Sequence, residues 1–124
     1  EETFRSAKLD WQRLGTEPHK GSLDWYRRIL EIRHAEIVPR LEGIGGRSGE
    51  HRVLAPGVLE VRWRLADQSR LTLRAVLRAE PFDGFGPAAG RVLFSEGTAG
   101  QEAGAAGPWS VTWSLQGGQA RPAA

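Results

Sequence analysis

Apolar residues recur at two different spacings along this chain. From about residue 17 to 38 they return every three or four positions, which is the spacing of one face of a helix. Thr16 fits the N-cap, Pro18 fits the first turn, and Pro39 is expected to end the helix because its ring cannot continue it. Ser22 is a second candidate for the cap. The pattern therefore predicts one amphipathic helix over residues 17–38.

The predicted helix has a wide apolar face, and a single neighbouring layer cannot bury all of it. One edge carries Trp25, Ile29 and Ile32, and the other carries Leu23, Tyr26, Leu30 and Ile37. A helix with so broad an apolar stripe is buried on more than one side. We expect a β layer to cover one edge and a structure absent from this sequence to cover the rest.

After a Gly-rich connector at residues 42–50, the apolar residues return at every second position. Such alternation predicts half-buried strands at about 58–65, 70–77 and 109–115. Two shorter segments, at about 51–55 and 91–95, are predicted to add two more strands. Turn and loop residues separate them at 56–57, 66–69, 83–90 and 97–108. The polar face of the central hairpin is expected in solvent, and it carries Arg62, Arg64, Arg74 and Arg78. One solvated face favours antiparallel pairing.

These segments predict an α+β fold with an N-terminal arm, one long helix and a small antiparallel sheet or sandwich of about five strands. The predicted organisation has four parts: an arm and helix at 1–41, the connector at 42–50, a β domain at 51–116 and a tail at 117–124. Residues 1–15 show no sustained spacing, so we expect an extended or irregular arm there.

The composition excludes several classes of partner. The 124 residues fit one domain, and a net charge of +2 is too small to indicate nucleic-acid binding. No apolar run approaches the roughly 20 residues that cross a bilayer, and no signal-peptide pattern opens the chain, so we expect no membrane partner and a cytoplasmic location. The absence of cysteine excludes disulfides and thiolate ligands. Since the chain also lacks methionine, we expect a segment of a longer protein.

No arrangement of reactive residues predicts catalysis. His19, His34 and His51 lack the close spacing that places two metal ligands on one helical face. The glycine-rich residues 43–49 follow a helix instead of a strand and lack the Lys-Ser/Thr of a phosphate loop, and no serine lies in a G-x-S-x-G elbow. Candidate carboxylates are expected mostly on solvated faces: Asp10, Asp24, Glu31, Glu60 and Glu96. We therefore predict no catalytic residue, no cofactor and no metal site in this segment.

Five tryptophans are the feature that points towards sugar binding, because the apolar face of a sugar ring stacks on an indole. Trp63, Trp109 and Trp113 share the inward parity of Leu and Val in their strands, so we expect them in the core. Trp25 is expected to pack from the helix. Trp11, in the arm, has no structural assignment and is the candidate sugar contact.

Four segments carry a family resemblance: TFRSAKLDW (3–11), SLDWYRRILEIR (22–33), VLEVRWRLADQSRLTL (58–73) and PWSVTWSL (108–115). In this order and spacing they resemble the carboxy-terminal end of malto-oligosyltrehalose trehalohydrolase, a glycoside hydrolase of the α-amylase superfamily. The first segment departs from the family pattern by an extra residue, Ala7, between Ser6 and Lys8.

The resemblance implies that the predicted helix is the last helix of a (β/α)8 barrel and that the strands form the C-terminal domain. The catalytic acids of the superfamily lie on earlier barrel strands, and its N-H-D segment does not occur here, so no catalytic residue is carried over. The parent enzyme would hydrolyse the α-1,4 bond next to the trehalose unit of malto-oligosyltrehalose without a redox cofactor. The missing barrel would then be the partner of this segment.

Three functions stay open from the sequence. The first is a structural terminal domain of a glycoside hydrolase, either the trehalohydrolase or another α-glucan-acting enzyme. The second is an autonomous carbohydrate-binding module with exposed tryptophans, and the third is an independent small enzyme. Solvent exposure of Trp63, Trp109 and Trp113 separates the first two.

Overall fold

A helical segment followed by a five-stranded antiparallel sheet makes up the fold, so the fold class predicted from the sequence is confirmed. The computed structural model describes Lys8, residues 10–98 and residues 104–117. The helical elements are a 3-10 helix at Trp11–Gly15, α1 at His19–Ile32, a π-helical turn at Arg33–Ile37 and a 3-10 turn at Val38–Arg40. The strands are β1 Gly49–Ala55, β2 Val58–Arg64, β3 Arg70–Val76, β4 Arg91–Glu96 and β5 Ser110–Gln116, in the spatial order β1-β2-β3-β5-β4. Most of the predicted arm, and the predicted tail after residue 117, lie outside the described residues.

The described part of the arm forms a short helix at Trp11–Gly15, so the prediction of an irregular arm is wrong there. The Asp10 carboxylate accepts the backbone N–H of Gln12 at 3.1 Å, which caps the first turn. Thr16, predicted to cap the long helix, instead ends the short one, because its hydroxyl donates to the Arg13 carbonyl at 3.0 Å.

The long helix begins later and extends further than predicted. Pro18 occupies the N-cap position without a side-chain cap. The chain does not leave helical geometry at Pro39 but continues through the π-helical turn and the 3-10 turn to Arg40. Pro39 lies in the first turn of that 3-10 element, where its missing N–H costs no hydrogen bond. The extension places Ile37 against the sheet.

The core lies on one face of the sheet, which we call the helix-side face. Leu65, Leu71 and Leu115 are buried there, and residues that follow α1 pack on them: Ile37, Leu41 and Ile44. Antiparallel register places Leu71 directly opposite both Trp63 and Leu115, so neighbouring strands contribute to one apolar layer. We call the opposite face of the sheet the outer face.

The outer face is covered, so the prediction of a solvated polar face is wrong for its central residues. Glu60 is only 3% exposed, and its carboxylate pairs with Arg74 at 2.9 Å and with Arg62 at 2.5 Å. Arg74 also donates to the carbonyls of Gly86, Phe85 and Pro87. The guanidinium thereby ties the loop before β4 onto the sheet. Strand alternation shows which residues share a face, but it does not show whether a loop covers that face.

Polar contacts hold the helical segment against the sheet. They are Trp25 Nε1 to Glu96 Oε2 at 2.9 Å, Arg91 to Glu36 at 2.8 Å and Arg40 Nε to Asp67 Oδ2 at 3.0 Å. Among the described strands, β4 is the one that the backbone of α1 approaches. The helix therefore lies along one edge of the helix-side face and leaves the β1 side open.

Asp67 closes the turn between β2 and β3. Its carboxylate accepts the hydroxyl and the backbone N–H of Ser69 and a guanidinium N–H of Arg40. Burial alone would raise the pKa of Asp67, but these donors outweigh it and hold that pKa below its ordinary value of 3.8.

The variant Asp67→Asn should lower the free energy of unfolding by about 1 kcal/mol at pH 7. Because the folded-state pKa of Asp67 is lowered, its stabilisation is present above the unfolded value and is lost as the pH falls through the folded one. Urea denaturation should show the difference between wild type and variant shrinking as the pH falls below 3.8. Asp83→Asn, which removes an exposed carboxylate, is the control. If Asp83→Asn lowered the free energy of unfolding by the same amount, the stabilising role of the Asp67 hydrogen bonds would be contradicted.

Candidate functional site

The carboxylates singled out from the sequence are spread over the fold. Asp10 caps the short helix, Asp24 pairs with Lys20, and Glu96 accepts a hydrogen bond from Trp25. In the part of the chain that the structure describes, no three His, Asp or Glu side chains are grouped to hold a metal ion. Asp10, Asp24 and Glu96 thus each take part in a different local contact.

An apolar groove of about 510 Å³ lies between the helical segment and the sheet. Its walls include Trp25, Ile29 and Ile32 from α1 and Trp63, Phe94 and Trp113 from the sheet. Folded cores rarely leave voids much larger than a water molecule, whereas this volume falls within the range of clefts that bind ligands. The groove can therefore accept apolar groups from another molecule or domain.

Trp63 and Trp113 form the floor of this groove. Their rings stack with centroids 5.6 Å apart and an angle of 10° between planes. Both are half-buried and pack against the cluster of Leu65, Leu71 and Leu115, in agreement with the prediction that they belong to the core. One side of the pair still borders the open groove.

Trp109 and Trp25 are more exposed than predicted. Trp109 is 67% exposed, so its assignment to the core is wrong. The reason is that β5 begins at Ser110, and Trp109 itself has a φ of 51°, so the alternation of the strand does not extend to it. Trp25 contacts Phe94 edge to face but is 40% exposed. Trp11 lies exposed on the short helix, and its role as a sugar contact stays a prediction.

A second apolar surface is formed by the short helix and by α1. Four large apolar side chains are exposed on these two elements, and we call them the outer helix surface: Trp11, Leu14, Tyr26 and Leu30. Monomeric soluble proteins rarely expose large contiguous apolar patches unless these bind something. The broad apolar stripe predicted from the sequence is thus divided between the groove and this surface.

Comparisons with known proteins identify the domain type. The model of DUF3459, a domain family of unknown function, matches residues 46–113. The chain belongs to the DUF3459 family. A 1.4 Å crystal structure of a "putative alpha amylase" from Salmonella typhimurium superimposes with a TM-score of 0.81 and 28% sequence identity. The match covers 94% of this chain and 19% of the Salmonella chain, so this chain spans about a fifth of that length. A search of curated proteins finds no match.

This DUF3459 domain has the fold of an α-amylase C-terminal β domain, which confirms the superfamily part of the resemblance. The family match begins at residue 46, after α1, whereas the structural match extends over nearly the whole chain. The helical segment is therefore part of the shared architecture. None of the helices described here is long and apolar enough to span a membrane.

Proposed function

We propose that this chain is the non-catalytic C-terminal domain of a larger glycoside hydrolase of the α-amylase superfamily. A preceding (β/α)8 barrel would carry the catalytic acids and pack on the outer helix surface. The single observation that carries the proposal is that surface: Trp11, Tyr26 and Leu30 are at least half exposed, and the last two lie on a helix whose other side lines the groove. The match to one fifth of a much longer chain supports it.

The finer proposal is that the parent is a malto-oligosyltrehalose trehalohydrolase. Its support is the order and spacing of the four sequence segments, which run from Thr3 to Leu115. The parent would hydrolyse the α-1,4 bond adjacent to the trehalose unit and release trehalose in the cytoplasm, with an α-glucan as its substrate class. No residue of this chain touches the reacting atoms in this proposal.

The isolated chain is expected to release no trehalose from malto-oligosyltrehalose, whereas the full-length protein is expected to release it. Product analysis by chromatography measures both. Activity of the isolated chain that survives rigorous purification would contradict the proposal that this domain is non-catalytic. Full-length protein that cleaves α-glucans without releasing trehalose would contradict the trehalohydrolase assignment and leave the glycoside hydrolase proposal standing.

A second candidate function is carbohydrate binding by the chain itself, favoured by the exposed indole of Trp11. The isolated chain would then be retarded on an amylose matrix, and Trp11→Ala would abolish the retardation. Retardation of this kind would favour a binding module over a purely structural domain.

A further inference from the structure

The helix-side face of the sheet is only partly covered. Four of its apolar residues on β1, β2 and β3 lie beyond the helix, and we call them the open sheet face: Val53, Leu59, Val61 and Leu73. Val53 is 71% exposed, and the other three are half-buried. None of the four lines the groove, because the helical segment lies towards β4. Apart from His51 on the edge strand, the uncovered part of this face carries no polar side chain.

Two further apolar side chains are exposed at the end of the sheet nearest Val53. Leu77 follows β3 and is 55% exposed, and Trp109 precedes β5. The backbone N–H of Trp109 donates to the Arg78 carbonyl at 3.3 Å, which fixes its position beside β3. The apolar area therefore continues from the open sheet face to the end of the sheet.

The turn that presents Trp109 is tightly built. Gly107 donates its N–H to the Thr98 carbonyl at 2.9 Å, and the Ser110 hydroxyl donates to the Gly107 carbonyl at 2.6 Å. A Cβ on Gly97 would lie 2.5 Å from the Trp109 carbonyl oxygen, so only glycine permits this approach. A left-handed backbone at a bulky residue persists when its surroundings impose it. The backbone that presents the exposed indole is thus held in place before any partner arrives.

We infer that the open sheet face, with Leu77 and Trp109 at its border, is a second docking surface for the domain that precedes this chain. The inference rests on the proposed function and adds a contact independent of the outer helix surface. In the matched Salmonella structure about four-fifths of the chain lies outside the matched region, so a polypeptide of that length has enough residues for a covering domain. Apolar side chains of the preceding domain would contact Val53, Leu59 and Leu73 and enter the adjoining groove.

The chemistry around Trp109 favours a protein partner over a sugar. Sugar sites combine a stacking ring with free hydrogen-bonding groups, whereas Leu77 and Val53 offer none. The guanidinium of Arg78, the residue after Leu77, already donates to the carbonyls of Glu80, Pro56 and Pro81. Aromatic and aliphatic side chains without free polar groups are typical of the dry centre of a protein interface.

Single cysteines test this docking surface, since the chain contains no cysteine of its own. Val53→Cys and Leu77→Cys report on the open sheet face and its border. Val92→Cys is the matched control, because Val92 is 47% exposed on the outer face of the sheet. Leu30→Cys reports separately on the outer helix surface. Each variant is made in the full-length protein, and alkylation of its peptide by iodoacetamide is followed by mass spectrometry.

We expect Cys at positions 53 and 77 to react at least about tenfold more slowly than Cys at position 92 in the full-length protein. Equal rates at positions 53, 77 and 92 with protection at position 30 would overturn the second docking surface and leave the proposed function intact. Equal rates at all four positions would overturn both. Protection that appears only at high protein concentration would identify a second copy as the occupant, and protection that appears only with maltoheptaose would identify a glucan. Either result would overturn the inference.

Discussion

Replacing Glu60 with alanine is expected to lower the free energy of unfolding by about 3 kcal/mol, because a buried ion pair that loses one partner leaves an uncompensated charge. The carboxylate is almost fully buried, and Arg74, its partner at 2.9 Å, is 13% exposed. Arg74 would keep its three carbonyl acceptors in the loop before β4 but would lose its counter-charge. Thermal or urea denaturation measures the loss.

Glu50→Ala is the matched control for this prediction. Glu50 lies on the same face of the sheet, directly opposite Arg62, but it is exposed on the edge strand. Substitutions of exposed surface residues usually change stability by no more than about 0.5 kcal/mol, so the control should change stability little. A loss below 1 kcal/mol for Glu60→Ala would show that its carboxylate is solvated.

The second large effect is expected from Leu71→Ala, which should destabilise the domain by about 3 kcal/mol. Leu71 lies on a central strand within the buried cluster, so its truncation removes apolar contacts and leaves a cavity between the sheet and the segment after α1. Tryptophan fluorescence during urea denaturation measures the loss, and Trp63, which lies opposite Leu71 in the register, is one of the five indoles that contribute to it.

Leu77→Ala provides the comparison at the end of the same strand. Its side chain is already more than half exposed, so truncation there should cost less than about 1 kcal/mol. Similar losses at positions 71 and 77 would contradict the placement of the core. In the full-length protein a larger cost at Leu77 is expected, because the preceding domain would then cover it.

The architecture was predictable from residue spacing because each element has a strong period of its own. The helical spacing from Leu23 to Ile37 and the alternation in β2, β3 and β5 arise from burial on one side, and the structure follows both. The ends of the helix were not predictable in the same way. Asp10 caps a turn that has no period, and Pro39 is accommodated because the chain changes to 3-10 geometry there.

The errors on the sheet have a common physical origin. Alternation assigns residues to faces, but the cover of a face comes from residues far away in sequence. Glu60 is buried because Arg74 binds the loop around Phe85 over it. The hairpin turn at residues 66–69 does predict that Glu60 and Arg74 lie opposite each other, so the pairing, though not its burial, could have been found. The prediction that Trp109 lies in the core is wrong because Trp109 precedes β5 by one residue, so the alternation of that strand does not apply to it.

The segment after α1 gives the domain a boundary that differs from that of its family. The family match, residues 46–113, starts after Ile44 and stops before Leu115. Three residues that follow α1 cover the buried leucine cluster: Ile37, Leu41 and Ile44. A gene fragment cut at the family limits would lack this cover and one of the three core leucines. The smallest fragment that keeps its hydrophobic core out of solvent therefore begins before residue 46, within the helical segment.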